Sequence, residues 1–213
     1  IGHAMRQDDV LVPYYRDYAA QIQRGVKMSD ILSYWGGDER GSEFENNQED
    51  LPICVPIASQ CLHAAGIAFA FKYRQQPRVA VTCIGDGGTS EGDFYEAINV
   101  AGIWKLPIVF VVNNNQWAIS VPLSKQTATQ TLAQKAISAG FEGIQVDGND
   151  VIACRDIIGK AIEKARRGEG PTLIEAISYR LSDHTTADDA TRYQPKAEVT
   201  QAKSKEPIER FKS

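Results

Sequence analysis

The sequence has no basic excess. Twenty-three Lys and Arg stand against 27 Asp and Glu, a net charge of −4, which gives no general attraction to nucleic acid or to acidic membranes. It also lacks any apolar run approaching the ~20 residues of a membrane span, so neither nucleic acid nor membrane is an expected partner. Its first residues, "IGHAMRQDDV", do not read as a signal peptide. Cysteine is sparse and scattered: Cys54, Cys61, Cys83 and Cys154 form no CxxC pair. Three of them lie among apolar residues, which reads as reduced core thiols in a cytosol-like compartment. No repeat and no low-complexity tract is present.

What is present is an ordinary globular composition, 43% apolar and 23% charged over 213 residues, enough for one large domain with a sizeable core. A start at Ile1 rather than Met leads us to expect a piece of a longer chain. Residues 1–44 read as helical in two pieces, and "FENNQEDLP" (44–52) as a polar link. "IASQCLHAAGIAFAFKY" (57–73), apolar around most of its circumference, reads as a helix buried in the core or at a subunit contact. "VAVTCI" (79–84) and "IVFVV" (108–112) are continuously apolar and suit interior parallel strands. Between them Phe94, Ile98 and Ala101 recur at i, i+4, i+7, predicting a helix over 91–104. Strands at 143–146 and 172–179, with a helix over 151–167, complete an α/β pattern with a parallel sheet flanked by helices. The tail over 194–213 is polar and expected to be irregular.

Between the first interior strand and its helix stands "IGDGGTSEGD" (84–93). The glycines suit a phosphate-cradling turn, yet the turn carries a carboxylate, Asp86. A dinucleotide fingerprint needs a third glycine where Ser90 stands, and a P-loop needs a Gly-Lys-Ser/Thr that is missing. In either fold Asp86 would repel the phosphates. A divalent cation removes the conflict, because Mg²⁺ is held by one or two protein oxygens together with phosphate. More oxygen donors should come from the end of the next parallel strand, where "NNNQWAIS" (113–120) supplies asparagine and freed backbone carbonyls. Taken singly, Asp86 could cap the following helix and the asparagines could form a polar turn.

Gly-Asp-Gly followed just under thirty residues later by Asn-Asn after an apolar strand resembles the thiamine diphosphate signature. The stretch "GDGGTSEGDFYEAINVAGIWKLPIVFVVNNNQWAIS" is similar to the alpha subunit of the first component of 2-oxo acid dehydrogenase complexes. "YYRDYAAQIQRG", "AAGIAFAFKY", "VDGND", "GPTLIEAISYR" and "DHTTADDATRY" resemble that family in order, over nearly the whole chain. The resemblance implies a thiamine diphosphate-binding fold over 1–213, as the central part of a longer alpha subunit. It implies that Mg²⁺ is held by Asp86, the Asn115 side chain and the Trp117 carbonyl. Tyr15 and Arg16 would contact the diphosphate, Gly85, Gly87 and Gly88 would let the backbone approach it, and Ile57 would prop the bent cofactor. Val55 and Ala58 depart from the family pattern, which commonly has glycines there. His184 would be the catalytic histidine of the active-site loop, and a solvated loop is the plainer reading of its surroundings.

The implied activity is oxidative decarboxylation of a 2-oxo acid, pyruvate in the first place and 2-oxoisovalerate as the alternative. The acyl fragment would pass to the lipoyl group of a partner acyltransferase. A beta subunit would complete an alpha2-beta2 assembly and supply the activating glutamate. The implied compartment is the bacterial cytoplasm, or the mitochondrial matrix in a eukaryote. Two rivals remain: a non-catalytic scaffold that keeps the cofactor fold, and a nicotinamide dehydrogenase, which Asp86 and Ser90 already weaken. Asp93 and Glu96 share one helix face, either as a solvated face or as an acidic passage to the cofactor. His63 reads as a core or interface histidine, and His3 has no supporting context.

Overall fold

A computed structural model describes residues 1–46 and 49–212 of the chain. In chain order its helices and strands are β1 (Val10–Val12), α1 (Tyr18–Gln23), α2 (Met28–Trp35), α3 (Ser59–Tyr73), β2 (Ala80–Gly85), α4 (Gly92–Ile103) and β3 (Ile108–Asn114). There follow β4 (Trp117–Ala118), β5 (Val121–Pro122), α5 (Lys135–Ser138), β6 (Glu142–Asp147), α6 (Val151–Arg166), β7 (Thr172–Ile177), α7 (Lys196–Lys203) and α8 (Pro207–Lys212). Five strands form one parallel sheet in the order β1-β2-β3-β7-β6, flanked by helices in an α/β architecture.

The sheet is buried on both faces, which is why its central strands are apolar without interruption. Alternate residues divide the core between the faces. Ile108, Phe110 and Val112 pack with Cys61, Ala64, Ala65 and Ala68 of α3 and with Phe94, Ala97, Ile98 and Ala101 of α4. Val79, Val81, Cys83, Val109 and Val111 pack instead with Ile158, Ala161, Ile162 and Ala165 of α6. Fully burying a side chain such as Ile162 contributes about 1.5–3 kcal/mol. Small residues on α3 bring that helix close to the sheet, but its outer side is open, with Phe69 and Tyr73 exposed.

Two expectations need correction. Residues 1–44 are not simply two helices, because "VLV" forms β1. Its neighbours are tied to distant cations: Asp9 pairs with Arg166 at 2.8 Å, and Asp50 pairs with Arg24 at 2.6 Å while accepting the Leu11 N–H. The tail over 194–213 is not irregular over its described residues, since α7 and α8 lie there. Neither buries a residue, so no apolar periodicity announced them. Arg210 of α8 pairs with Asp147 at the end of β6. Asn47 and Gln48 of the expected polar link lie outside the described residues.

Asp17 precedes α1 beneath the sheet edge, and its carboxylate accepts the Tyr14 N–H at 3.0 Å. Burial is the main reason its pKa rises from 3.8 to about 7, with the Tyr14 hydrogen bond opposing. The folded state therefore keeps a proton that the unfolded chain has released. Stability tied to it is complete below the ordinary carboxylate value and is lost as pH rises towards about 7. Asp17→Asn keeps an acceptor for Tyr14 and cannot ionise. In thermal melts of the full-length protein it should match wild type near pH 4 and exceed it at pH 8 by several degrees, at about 2–4 °C per kcal/mol for a chain of this size. Parallel pH dependence of the two proteins would contradict this account.

Candidate cofactor and metal site

In register, Gly85 stands beside Asn113, and Asn114 beside Ile177. The carboxyl ends of β2, β3 and β7 are thus level, and the chain segments leaving β1, β2 and β3 open onto one crevice, where ligands bind in open α/β sheets. A cavity of about 240 Å³ lies there. Tyr15 and Arg16 reach it from the segment after β1, and Gly85, Asp86, Gly87 and Gly88 from the turn after β2. Asn115 and Trp117 come from the turn after β3, Ile57 from the entry to α3, and His184 from the loop after β7. All ten residues singled out from the sequence line this one cavity. Of the other candidates, Asp93 is half-buried and Glu96 exposed on α4, and His63 is exposed on α3. None of the three lines the cavity.

Asp86 is only 1% exposed. Burial pushes its carboxyl up, while the Gln126 amide, donating at 3.1 Å, and the Asn115 backbone oppose that shift. Among the described residues no cation pairs with it directly. A buried carboxylate in that state is costly to ionise unless a positive charge joins it. The Asn115 amide oxygen already accepts the Trp117 N–H at 3.1 Å and keeps a second lone pair. The Trp117 carbonyl faces Arg180 at a long 3.4 Å. One carboxylate with two neutral oxygens matches the hard donors and low ligand charge that Mg²⁺ takes beside a phosphate.

The glycine turn is shaped by close approach. A Cβ on Gly87 would lie 2.5 Å from the Ala118 Cβ, and one on Gly88 would lie 2.6 Å from Ile84 and 3.2 Å from Ile57. Side chains there would crowd the walls of the cavity and hold a ligand away from the backbone. The entry to α3 is strained instead: buried Ala58 has φ 68°, a left-handed conformation that costs a non-glycine residue about 1–2 kcal/mol. This gives a conformational reason for glycine at that place in the family pattern.

Arg16 donates to His184 twice, at 3.1 Å to Nδ1 and at 2.7 Å to its carbonyl, and its guanidinium lies 5.2 Å from the Tyr15 ring centre. A guanidinium can only donate, so Nδ1 accepts and neutral His184 carries its proton on Nε2. Burial, then Arg16 and Arg180, holds the His184 pKa below its usual value, with Asp188 opposing. The loop itself is knitted by the His184 N–H and the Tyr193 hydroxyl, both donating to Asp188.

Sequence reasoning missed Gln60, Gln126 and Arg180. Gln60 lines the cavity, donates to the Cys83 carbonyl at 2.8 Å, and has a buried amide oxygen that meets no partner among the described residues. That oxygen is free to accept from a bound molecule. Arg180 donates to the Ile119 carbonyl at 2.8 Å and the Tyr193 hydroxyl at 2.6 Å, joining the turn after β3 to the His184 loop. Gln60 and Arg180 act mainly on backbone groups, and none of the three carries a spacing that marks it in advance.

The sequence profile of the family described as "Dehydrogenase E1 component" matches residues 1–213. The chain is 46% identical over 209 residues to the Mycobacterium tuberculosis protein named "3-methyl-2-oxobutanoate dehydrogenase subunit alpha", covering 98% of this chain and 57% of that one. It is 43% identical over 213 residues to the Mycoplasma genitalium "Pyruvate dehydrogenase E1 component subunit alpha", covering 100% and 60%. Against the Staphylococcus aureus protein of that name the figures are 44% over 211 residues, 99% and 57%. The chain therefore spans less than two thirds of the length of these relatives. With a match along its whole length and a parallel sheet whose strand ends carry the Gly-Asp-Gly and Asn-Asn turns to one cavity, the chain belongs to the dehydrogenase E1 component family.

Proposed function

We propose that this chain forms the thiamine diphosphate- and Mg²⁺-binding part of an alpha subunit that decarboxylates a 2-oxo acid, pyruvate in the first place. The observation that carries the reading is Asp86, a buried carboxylate set in a glycine turn that shares its cavity with Asn115 and the Trp117 carbonyl. Bound thiamine diphosphate would supply the electron sink for decarboxylation. The chain's own residues would do the rest. Asp86, Asn115 and the Trp117 carbonyl would hold Mg²⁺, while Tyr15, Arg16 and the backbone at Gly85, Gly87 and Gly88 would receive the diphosphate. Ile57 would shape the cavity wall, and His184 would present its Nε2–H as a hydrogen-bond donor during acyl transfer.

The acyl fragment would pass to the lipoyl group of an acyltransferase, and a beta subunit would complete the site in an alpha2-beta2 assembly. In support, the outer side of α3 exposes Phe69, which packs 4.9 Å from Trp104, and Tyr73, which is 80% exposed. A reducing compartment such as the bacterial cytoplasm fits the four free thiols, of which burial pushes that of Cys61 up to about 12. No described helix is long and apolar enough to cross a membrane. A branched-chain substrate is the second reading, favoured by the name of the M. tuberculosis relative.

Calorimetric titration of the full-length protein should give thiamine diphosphate binding that requires Mg²⁺, and no binding of NAD. The reconstituted assembly should turn over pyruvate faster than 2-oxoisovalerate, and the reverse order would select the branched-chain reading. Cofactor binding without turnover of either acid would select the scaffold reading.

A further inference from the structure

Two buried charges lie behind the candidate site without lining its cavity. Lys135 of α5 is 4% exposed, and Glu175 of β7 is 1% exposed. Neither makes a salt bridge among the described residues; each reaches a different half of the candidate metal site through an intervening residue, Thr89 for Lys135 and Asn114 for Glu175.

The Lys135 ammonium donates to the Thr89 carbonyl at 2.6 Å and to the Thr89 hydroxyl at 2.9 Å, and lies 5.0 Å from the Tyr95 ring centre. Thr89 in turn donates to the Asp86 carbonyl, from its hydroxyl at 2.7 Å and from its N–H at 3.2 Å. The ammonium thus closes the turn that carries Asp86, Gly87 and Gly88. Glu175 accepts the Asn114 side-chain N–H at 2.7 Å, the Ala133 N–H at 3.0 Å and the Gln145 amide at 3.0 Å. The Asn114 oxygen then accepts the Gln116 backbone N–H at 3.1 Å and its side chain at 3.0 Å. This holds Gln116 at φ 72°, the left-handed residue that turns the chain between Asn115 and Trp117.

Both lines meet in one short segment, with Ala133 on the Glu175 side and Lys135 on the Thr89 side. That segment lies flat on β6. A Cβ on Gly143 would fall 2.0 Å from the Ala133 carbonyl oxygen, so only glycine permits the approach. A buried charge is costly unless its bonds compensate, and an apolar residue could fill the volume of Lys135 without that cost. What an apolar residue could not do is grip the Thr89 carbonyl and hydroxyl together.

We propose that Lys135 and Glu175 are positioning residues that act through a common brace, residues 132–135, to hold the Asp86 turn and the Asn115–Trp117 turn at the separation a divalent cation requires. The inference rests on the reading of Asp86, Asn115 and Trp117 as ligands.

The test measures Mg²⁺ affinity by calorimetry in the presence of thiamine diphosphate, with thermal melts alongside, on the full-length protein in its native assembly. The variants are Lys135→Met, Lys135→Arg, Glu175→Gln and Thr89→Val, with Ile162→Val on the opposite face of the sheet as a control for lost stability. Outer partners of metal ligands are typically worth about 10–100-fold in metal affinity. Lys135 and Glu175 act one residue further back, so a loss near the lower end of that range, about tenfold, is expected for Lys135→Met and Glu175→Gln, with partial recovery in Lys135→Arg. The Ile162→Val control should melt earlier and bind Mg²⁺ as wild type does. Thr89→Val removes the hydroxyl that joins Lys135 to Asp86 at nearly constant volume, and should weaken Mg²⁺ even if the charge variants fail to fold. Folded variants that lose stability as the control does but keep wild-type Mg²⁺ affinity would overturn the brace and leave the ligand reading standing. A wild-type assembly that binds no Mg²⁺ would overturn both.

Discussion

Asp86→Ala is expected to abolish Mg²⁺-dependent binding of thiamine diphosphate while leaving the protein folded. Among the described residues the buried carboxylate is held by the Gln126 amide and neighbouring backbone, with Arg180 acting from further off. Its removal costs few native contacts and also deletes a buried acid that burial makes expensive to ionise. For the ligand the loss is severe, because the only carboxylate of the donor set would be gone and the diphosphate would face the cavity without its bridging cation. Losing an outer partner of a ligand already costs about 10–100-fold in metal affinity, so loss of the ligand itself should exceed that range. Calorimetry with Mg²⁺ and thiamine diphosphate, beside a melting curve, decides the matter. Unchanged cofactor affinity in a folded Asp86→Ala protein would remove the metal assignment, and with it the main support for the proposed function.

His184→Ala should slow acyl transfer to the lipoyl group more than it slows decarboxylation. A positioned hydrogen-bond donor contributes about 10²–10³-fold, and a loss in that range is expected in the transfer half-reaction. Decarboxylation can be followed separately with an artificial electron acceptor. The Arg16 bond to Nδ1 leaves Nε2–H of the neutral ring as a hydrogen-bond donor towards a reacting group. Burial and the Arg16 and Arg180 charges favour the neutral ring, so the acid limb of the transfer rate should fall below the ordinary histidine value. Arg16→Met withdraws one of those charges and should shift that limb to higher pH. Wild-type rates for His184→Ala in both half-reactions would place His184 outside the chemistry.

The parts of the fold that could be read in advance are those where burial alone dictates residue type. β2, β3 and α4 lie inside the sheet and against it, so their runs and periodicity are apolar and clear. β1 was hidden because three apolar residues are too few to show a period. Its place depends on ion pairs to Arg166 and Arg24, partners no local window contains. The helices α7 and α8 bury nothing, and without an apolar face there is no pattern to find. The site divides in the same way. Asp86 stood out because a carboxylate contradicts the glycine turn around it, and the resemblance then named its neighbours. Gln60 and Arg180 stayed invisible because what they grip is mostly backbone, which every sequence shares, and Lys135 and Glu175 because their partners lie 30 to 61 residues away along the chain.

The place of β1 at the sheet edge bears on how the chain is made. Val10 pairs with Ala80, and Val12 with Thr82, so a chain emerging amino end first completes β1 long before its partner exists. At about 5–20 residues per second the strand waits roughly 4–14 s on the ribosome, and the Tyr15–Arg16 segment waits with it. An unpaired strand edge invites wrong partners, and natural proteins blunt such edges with short length and flanking charge. β1 has three residues and follows Asp8 and Asp9. The brevity that hid it from sequence reading is thus also what limits mispairing during synthesis.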